Sequence, residues 1–381
     1  MNKNIDVLYI DPQSSTNLYI YAYRLLTNIG LSVLCVCSSY YDYFPFPDHV
    51  RQAPIISYNR YSNKYLQGLS FLCSYVRILY FIMRFRPRII HLQWLKMPKF
   101  ELLFYRLLKC FLGFRLVFTA HNLLPHDSGS RYVMAYKKWY ALVDAIIVHT
   151  NDTKTDMMDQ FGIDSSKINV IAHGLLDIQE SVSYSSERLH ELDLRYNLEG
   201  HLVFSSLCAQ SFYKGVDLLV DIWSATPELN GNPHLKFVLV GPNKGVDTSA
   251  LRNVENVIVS EERIPNDEFC YLLSHTDVFL LPYRSISQSG ALLTAISAHI
   301  PVLATTVGGL KDPFSHGQIG WQLTDLSRES LKSELLYLAR HPEEVRKVKG
   351  DVEMWSRVCA YYDWKSIGAQ TEQLYRTLQK G

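Results

Sequence analysis

Apolar and polar positions alternate in blocks along the chain, and the blocks switch repeatedly between the period of a strand and the period of a helix. Residues 5–11 and 115–120 are short apolar runs of the kind that forms buried parallel strands. Residues 16–29 and 64–86 are longer and amphipathic, with the spacing of helices. Because parallel strands must be joined by crossover segments, this order predicts an α/β fold built on doubly wound sheets.

A polar segment divides this pattern into two halves. The chain has 381 residues, which is enough for two domains of ordinary size. Residues 177–200 are rich in Ser and Glu and have the composition of an interdomain linker. We therefore predict a first domain over residues 1–176 and a second domain over residues 201–362.

The stretch from residue 281 to residue 309 carries the clearest candidate chemistry. It predicts a strand, a polar loop, a helix that Ser289 caps and Gly290 opens, and a second strand. A helix that begins behind a parallel strand presents unpaired N–H groups and the positive end of its dipole, and both attract a phosphate. The alternative is an ordinary strand-to-helix turn of a doubly wound sheet.

Lys214 and Gly215 stand at the predicted start of another helix. A cation at the N-terminus of a helix opposes the helix dipole unless an anion lies nearby. Lys214 is therefore a candidate for contact with a diphosphate, to which a lysine contributes a point charge. The alternative is an ordinary solvated lysine.

Four polar residues follow the apolar run of residues 115–120, namely His121, Asn122, His126 and Asp127. The carboxyl ends of parallel strands form the rim at which doubly wound sheets bind ligands. Histidine and aspartate can transfer protons or hold a hydroxyl group. Alternatively, these residues only cap the turn that follows the strand.

Charge is distributed unevenly along the chain. The net charge is +1, but residues 51–115 contain 12 basic residues and a single acidic residue, Glu101. Residues 64–112 predict amphipathic helices with aromatic residues beside these basic residues, which favours an anionic membrane surface as a partner. The alternative is a core helix with a solvated basic edge, and no module for nucleic acid is present. The aromatic residues are Trp94, Phe100, Phe104, Tyr105 and Phe111.

Several features argue against other classes of protein. The chain has no G-x-G-x-x-G motif, which counts against a dinucleotide enzyme, and we expect no cofactor. The first residues lead directly into a strand pattern, unlike a signal peptide, and no run of 18 uncharged apolar residues predicts a membrane-spanning helix. The seven cysteines lack metal-ligand spacing, and most are expected to be reduced core residues of a cytosolic protein.

Four dipeptides carry a family resemblance: Pro282-Tyr283, Ser289-Gly290, Pro301-Val302 and Gly308-Gly309. In this order they resemble the donor-binding segment of the two-domain glycosyltransferases that use nucleotide sugars, especially the large retaining group called family 4. The resemblance implies two Rossmann-like domains that face each other across a cleft, the GT-B fold. It implies that the acceptor binds the first domain, that the donor binds the second, and that residues 363–381 cross back to the first domain.

The resemblance also implies roles for single residues. His121 would face the donor sugar, and Asp127 would be a candidate base if the enzyme inverts. Lys214 would contact the donor phosphates. Other implied donor contacts are Tyr283, Ser289, Gly290 and Thr294, and Asn122 and His126 would contact the acceptor or the sugar.

Three positions depart from the family pattern. Ile286 and Thr294 replace two glutamates of the better-known members, the inner of which usually binds the ribose of the nucleotide. Ala209 replaces an arginine that usually accompanies the lysine on the phosphates, so Arg263 or Arg284 would have to substitute for it.

These features predict an enzyme that moves a sugar from a UDP- or GDP-sugar to a glycan or lipid-linked acceptor in the synthesis of a surface polysaccharide. The expected location is cytoplasmic and peripheral on the inner membrane face. No Asp-x-Asp pair is present, so the transfer is expected to be independent of metal. The departures motivate an alternative, a catalytically inactive relative that binds a sugar nucleotide or a partner protein. A nucleotide-sugar epimerase on the same fold is a third possibility.

Overall fold

The computed structural model describes residues 5–13, 19–38, 45–124, 129–176 and 182–380. The chain divides into two compact units: Leu175–Tyr361 forms one, and Met1–Gly174 forms the other together with Tyr362–Gly381. Each unit contains a parallel sheet whose strands are joined by helices. The α/β fold class predicted from the alternation of patterns is therefore confirmed.

The sheet of the first unit has seven parallel strands. They are β1 (Val7–Ile10), β2 (Val33–Ser38), β3 (Val50–Ile56), β4 (Ile89–Leu92), β5 (Arg115–Thr119), β6 (Ala145–Val148) and β7 (Ile168–Val170). Their order in the sheet is β3-β2-β1-β4-β5-β6-β7. The chain reverses its direction of winding between β1 and β4, and at such a switch point the carboxyl ends of the strands open a crevice for ligands.

One strand of this sheet escapes prediction from the sequence. β3 contains Pro54, which lacks an N–H donor and normally argues against a strand. β3 lies at the edge of the sheet and pairs only with β2. On its outer side no strand of the described residues is present that would need a hydrogen bond from the missing N–H group.

Five helices join these strands. They are α1 (Tyr19–Thr27), α2 (Lys64–Phe85), α3 (Pro98–Leu112), α4 (Val133–Leu142) and α5 (Asn151–Phe161). α2 begins and ends within one residue of its predicted bounds. Residues 16–18 of the first predicted helix lie outside the described residues. Residues 149–153 (HTNDT) predict a helix cap at Asn151 or Thr153, and this expectation is wrong: Thr150 caps α5 by accepting a hydrogen bond from the Thr153 N–H.

The second unit contains a six-stranded parallel sheet. Its strands are β8 (Leu202–Leu207), β9 (Leu235–Val240), β10 (Val257–Ser260), β11 (Val278–Leu281), β12 (Val302–Thr305) and β13 (Gly320–Leu323), in the order β10-β9-β8-β11-β12-β13. The winding direction reverses between β8 and β11, so the ends of these two strands form the switch point of this sheet.

The second unit contains eight helices among its described residues. They are α6 (Ser186–Tyr196), α7 (Val216–Ala225), α8 (Pro227–Asn230), α9 (Asn266–Ser274), α10 (Gly290–Ser297), α11 (Arg328–Arg340), α12 (Pro342–Lys349) and α13 (Val352–Tyr361). α7 to α10 lie between strands, α6 precedes the first strand, and α11 to α13 follow the last. α6 lies within the segment predicted as a linker, and it is fastened to α9 by hydrogen bonds from Arg188 to Asp267 and Glu268.

Residues 342–361 predict one helix, and this expectation is wrong. Gly350 ends α12, and its N–H returns to the Arg346 carbonyl. Asp351 then starts α13 by accepting a hydrogen bond from the Met354 N–H. The break arises because glycine and aspartate both favour a helix end over a helix interior.

The chain then returns to the first unit with α14 (Trp364–Lys380). α14 packs on α1 so closely that a β-carbon at Gly368 would lie 2.2 Å from the Asn28 carbonyl oxygen. The side chain of Tyr375 is fully buried in this unit. The C-terminal segment is thus an integral part of the core of the first unit.

The cysteines are less buried than the sequence predicts. All seven are free thiols, and Cys35, Cys37 and Cys270 are buried. Cys73 and Cys110 are exposed on α2 and α3, and the remaining two are half-buried. The expectation that most cysteines are core residues is therefore wrong, because α2 and α3 turn apolar side chains outward as well as inward.

Among the described residues, one helix is long and apolar enough to cross a membrane by length and composition, whereas the sequence predicts none. This helix is α2, and 28% of its most apolar window is buried. One face of α2 packs into the core of the first unit through Phe71, Tyr75, Ile78 and Ile82. Core helices of soluble proteins pass the same test, so the finding is weak evidence for a membrane span.

Candidate functional site

The N-terminus of α10 forms as the sequence predicts. The Ser289 hydroxyl accepts a hydrogen bond from the Leu292 N–H at 3.2 Å and caps the helix. Gly290 is the first helical residue and is exposed, and the first turn contains no acidic side chain. The N–H groups at the start of a helix have no partner within the helix, so this end favours an anion.

The loop before α10 is held by the glycine pair at the end of β12. Gly308 has φ +51°, and a β-carbon there would lie 1.7 Å from the Ile286 carbonyl oxygen. The Gly309 N–H donates to the Ser287 carbonyl at 3.2 Å. The motif residues at 308–309 therefore act by fixing the backbone immediately ahead of Ser289.

A second contact brings Lys214 to the end of β11. Gly215 has φ +69°, and a β-carbon there would lie 2.0 Å from the Pro282 carbonyl oxygen. The Arg284 N–H donates to the Tyr213 carbonyl at 2.7 Å. Only glycine permits so close an approach of two backbones, so the turn that contains Lys214 is fastened to the loop that contains Tyr283.

Lys214 lies over two aromatic rings. Its Nζ is 5.5 Å from the centre of the Tyr283 ring and 5.9 Å from that of the Tyr213 ring. The side chain is half-buried, and no carboxylate in the described part of the chain forms an ion pair with it. The ammonium group is thus held by weak cation–π contacts that leave its hydrogen-bond donors available.

The two arginines named as possible second cations have different surroundings. The Arg284 guanidinium pairs with both carboxylate oxygens of Asp217, at 2.6 and 2.7 Å, and lies over the Phe212 ring. The carboxylate of Asp217 offsets the charge that Arg284 would present to a phosphate. Arg263 is exposed in the loop between β10 and α9.

Buried polar atoms without partners accumulate beside these loops. Among the described residues, the Gln210 Oε1 and the Ser211 hydroxyl are buried and have no hydrogen-bond partner, and the buried Tyr283 hydroxyl lies beside the Ser289 hydroxyl and the Cys208 thiol. A buried polar group without a partner costs about 1–3 kcal/mol, so each such group in a native protein calls for an explanation. Burial also raises the pKa of Tyr283 well above its usual value, so its hydroxyl stays protonated.

Thr294 occupies the interior of α10, and its side chain is 4% exposed. The side chain of Thr294 is shorter than the glutamate of the better-known members of the family, and it presents a hydroxyl group where they present a carboxylate. Ile286, at the other glutamate position, is half-buried in the loop that Gly308 contacts. The implied roles of Thr294, Tyr283, Ser289 and Gly290 in donor binding stay predictions.

The first unit contains a different cluster at the carboxyl edge of its sheet, which we call the histidine edge. Gln93, His121, His149 and His173 follow β4, β5, β6 and β7, respectively, within three residues of each strand's end. Tyr21 of α1 packs against the rings of His121, His149 and His173 at 5.0, 5.5 and 4.9 Å between ring centres. The sequence analysis identified only His121 of these.

Both ring nitrogens of His121 have protein partners. Its Nε2 lies 2.8 Å from the Gln93 Oε1, and its Nδ1 lies 3.2 Å from the His149 Nε2. The ring is stacked on Trp94 at 4.4 Å. The predicted contact between His121 and a donor sugar stays a prediction, and a hydrogen bond from a ring nitrogen to a sugar hydroxyl would require the hydroxyl to replace or share one of these partners.

Burial keeps these histidines neutral. It lowers the pKa of His121 well below the usual value, with further lowering by His149 and His173, and it lowers the pKa of His149 to about 3 and of His173 to about 4. Asn122 is half-buried in the loop after β5. The predicted site residues His126 and Asp127 lie outside the described residues.

The described residues contain no group of three His, Cys, Asp or Glu side chains arranged to hold a metal ion. His121 is hydrogen-bonded to His149, and His149 and His173 each contact a backbone carbonyl, at Ile171 and Gly174.

Two family models match the chain, one in each half. The model described as Glycosyltransferase Family 4 matches residues 21–175, and the model described as Glycosyl transferases group 1 matches residues 200–341. The D-inositol 3-phosphate glycosyltransferase of Corynebacterium glutamicum (strain R) is 23% identical over 244 residues, which are 61% of this chain and 57% of that protein. The chain spans about three fifths of the length of the curated relatives that it matches.

Solved structures match over the full length. Sucrose-phosphate synthase from Thermosynechococcus elongatus superposes with a TM-score of 0.70 and 16% identity, covering 98% of this chain and 99% of the other. HepE of Anabaena in complex with UDP has a TM-score of 0.70 and 13% identity, covering 98% and 100%. At such low identities the likeness to solved structures shows only the fold, which is the GT-B fold. The two family models carry the assignment to a family. By these matches the chain belongs to the glycosyltransferases of family 4 and group 1.

Proposed function

We propose that this chain transfers a sugar from a nucleotide-sugar donor to a hydroxyl group of a glycan or a lipid-linked acceptor, in the synthesis of a surface polysaccharide. The proposal depends most on one observation, the unpaired Lys214 at the switch point of the second sheet, where α10 also begins. HepE, which is similar in fold, has been solved with UDP and with UDP-glucose, and this supports a UDP-sugar as donor.

The reaction would proceed by displacement at the anomeric carbon of the sugar. The bond from that carbon to the phosphate oxygen breaks, and the nucleoside diphosphate leaves with the bonding electrons. An acceptor hydroxyl oxygen forms the new bond, and its proton passes to the leaving diphosphate. Positive potential from the N-terminus of α10 and from Lys214 would stabilise the charge that develops on the diphosphate. This supports a transfer that needs no metal ion.

A panel of UDP- and GDP-sugars tests the proposal. Thermal shift identifies the sugar nucleotide that stabilises the protein, and release of the nucleoside diphosphate is then measured with EDTA and with added Mn²⁺ or Mg²⁺. We expect a slow release without acceptor that does not depend on metal. Binding without any turnover would instead indicate an inactive relative, and interconversion of the sugar without release of nucleotide would indicate an epimerase.

We further propose that the first unit binds an anionic membrane surface through an exposed apolar stripe on α2 and α3. Tyr65, at 89% exposed, and Phe111, at 83%, are among the most exposed large apolar side chains of the described residues. On α2 the stripe recurs at intervals of three and four residues, so it follows one face of the helix. Its members are Tyr65, Leu69, Leu72, Val76, Tyr80 and Met83 on α2, and Leu103, Leu107 and Phe111 on α3.

The residues of this stripe differ from those that the sequence favours. Of the five aromatic residues predicted to face a membrane, only Phe111 is exposed. Tyr105 is buried, while Phe100 and Phe104 pack against Tyr75 of α2. These rings fasten α3 to α2 and leave the aliphatic residues between them to face outward.

Basic residues lie beside the apolar stripe. Because their positive charges attract negatively charged headgroups, the partner we propose is a membrane that contains anionic lipid. Arg77 of α2 and Arg106 of α3 are exposed and lack an ion pair among the described residues. Because the opposite face of α2 lies in the core, the helix would rest on the membrane surface.

Reversing two of these charges is expected to weaken membrane binding. Each basic residue near an anionic surface contributes about 1 kcal/mol, so Arg77→Glu with Arg106→Glu should lower the partition coefficient by about tenfold or more. Co-sedimentation with vesicles of phosphatidylcholine and phosphatidylglycerol measures the change. Arg346→Glu with Lys347→Glu on α12 is the matched control and should have no effect. Equal binding of all three proteins, or none by the wild type, would contradict the proposal.

A further inference from the structure

The histidine edge continues into a chain of hydrogen bonds that ends on α14. From His121 the contacts pass through Gln93 to His91, whose Nε2 lies 3.0 Å from the Gln93 amide and 2.8 Å from the Thr119 hydroxyl. The His91 Nδ1 then lies 2.5 Å from the Tyr375 hydroxyl. All of these side chains except His121 are buried, so water cannot readily replace the contacts.

The hydrogen bond between His149 and the Ile171 carbonyl fixes the direction of the other hydrogen bonds in this network. The His149 Nδ1 lies 3.0 Å from the Ile171 carbonyl oxygen, which can only accept, so this nitrogen bears a proton. If His149 is neutral, its Nε2 is bare and must accept from the His121 Nδ1. A neutral His121 then has a bare Nε2, which needs a donor from Gln93.

The Gln93 amide can supply that donor in only one of its two orientations. With its NH₂ group on His121, its oxygen accepts from the His91 Nε2 and from Thr119, and the His91 Nδ1 accepts from Tyr375. Every group is then neutral and satisfied. In the structure the Gln93 oxygen faces the His121 Nε2, which must then bear a proton and donate it. The His121 Nδ1 and the His149 Nε2 still need one proton between them, so the His121–His149 pair must hold one proton more than two neutral rings. The two ends of an amide are interchanged by a half-turn, so both orientations fit the same space.

We propose that Gln93 and His149 are positioning residues that hold His121 as the neutral tautomer with its proton on Nδ1, and that the Gln93 amide turns when the His121–His149 pair gains a proton. The consequence is that the His121 Nε2 is a hydrogen-bond acceptor in the resting protein. In the contact between His121 and a substrate hydroxyl, the hydroxyl would then donate a hydrogen bond to the His121 Nε2. This consequence rests on the proposed function.

The surroundings of the pair favour the neutral state. His173, His91, Tyr21, Tyr9 and Tyr375 are the titratable groups that pack around these rings. Within the described ranges no carboxylate forms a hydrogen bond with any of the four histidines. Burial lowers the pKa of His91 to about 3, so this ring also stays neutral near pH 7. Among the residues that the structure describes, an extra proton therefore has no hydrogen-bonded carboxylate to balance it.

Nitrogen NMR of the imidazole rings tests the tautomer directly and needs no donor. We expect the wild-type protein at pH 7, with ¹⁵N-labelled histidine, to show His121 and His149 as neutral rings with the proton on Nδ1. Single His→Gln substitutions assign the signals. Finding the His121 proton on Nε2, or a doubly protonated ring in the pair, would overturn the proposal. Because the spectrum is independent of turnover, this result is separate from the fate of the proposed function.

A near-isosteric variant tests the role of the amide. Gln93→Glu supplies only acceptors once its carboxyl group is ionised, so as the pH rises through the pKa of that group it should draw a second proton onto His121, seen as two protonated nitrogens in one ring. Gln93→Met has similar length and no polar end, and it should leave the proton of His121 on Nδ1, since His149 still accepts it. Identical His121 signals in the two variants over the whole pH range in which the protein is folded would contradict the proposal. If Gln93→Glu does not fold, the wild-type spectrum decides the question.

Discussion

Replacing Lys214 with alanine is expected to weaken binding of the nucleoside diphosphate by about 10- to 100-fold. The side chain is the one cation of the described switch point without a carboxylate partner, and a hydrogen bond to a charged group contributes about 1.5–3 kcal/mol. Calorimetry with UDP or GDP, whichever stabilises the wild-type protein, measures the loss. Lys214→Arg retains the charge and should recover part of the affinity.

A charge removed elsewhere in the same unit provides the control. Lys347 is exposed on α12, and Lys347→Ala should leave the affinity unchanged. If Lys214→Ala binds the nucleotide as tightly as Lys347→Ala does, the phosphates do not contact Lys214. The donor site would then have to be sought away from the N-terminus of α10.

Replacing Gly308 with alanine is expected to abolish most of the activity without removing any polar group. The new β-carbon would lie 1.7 Å from the Ile286 carbonyl oxygen, so the loop ahead of Ser289 must move. A displacement of about 1 Å at a positioned site can cost on the order of 100-fold in rate. The positive φ adds about 1–3 kcal/mol of backbone strain, which chemical unfolding would detect.

Gly200 separates these two effects. It also has a positive φ, +78°, and lies in the same unit, but a β-carbon there would meet nothing within 4 Å. Gly200→Ala should therefore lose a similar amount of stability to strain and keep its activity. Equal activities for the two variants would show that the contact between Gly308 and Ile286 is not needed to hold the loop.

The strands and helices that position the donor-side loops are largely predictable, because each has a local cause. Ser289 caps α10 through a hydrogen bond within its own first turn. Gly215, at the predicted start of a helix, and Gly308, at the end of a predicted strand, both have a positive φ. What the sequence does not reveal is that these glycines act through contact with backbone far away in the chain, at Pro282 and Ile286. Such approaches depend on the assembled sheet.

The histidine edge shows where prediction from the sequence stops. Each of its members stands behind an apolar run, and the polar residues after His149 fit the start of a helix, so only His121 with Asn122, His126 and Asp127 suggests a site. The available signal was the repetition of one position: Gln93, His121, His149 and His173 all come within three residues of a strand end. Parallel strands bring their carboxyl ends to one edge, so four such residues become neighbours.

Errors elsewhere have similar physical causes. β3 was missed because Pro54 is tolerated only at an edge, and edge position is a property of the whole sheet. The membrane-facing aromatic residues were misassigned because helical period alone does not tell which face of α3 meets α2. The packing of Phe100 and Phe104 on Tyr75 decides it.

The return of α14 to the first unit has a consequence for biosynthesis. Residues that complete this core, including Tyr375 and Trp364, are made only after the whole of Leu175–Tyr361 has been synthesised. The ribosome therefore delivers a second unit that is contiguous and able to fold at once, while the earlier one must wait with Asn28 and His91 uncovered. Chaperones that recognise nascent chains would be expected to act mainly during that interval.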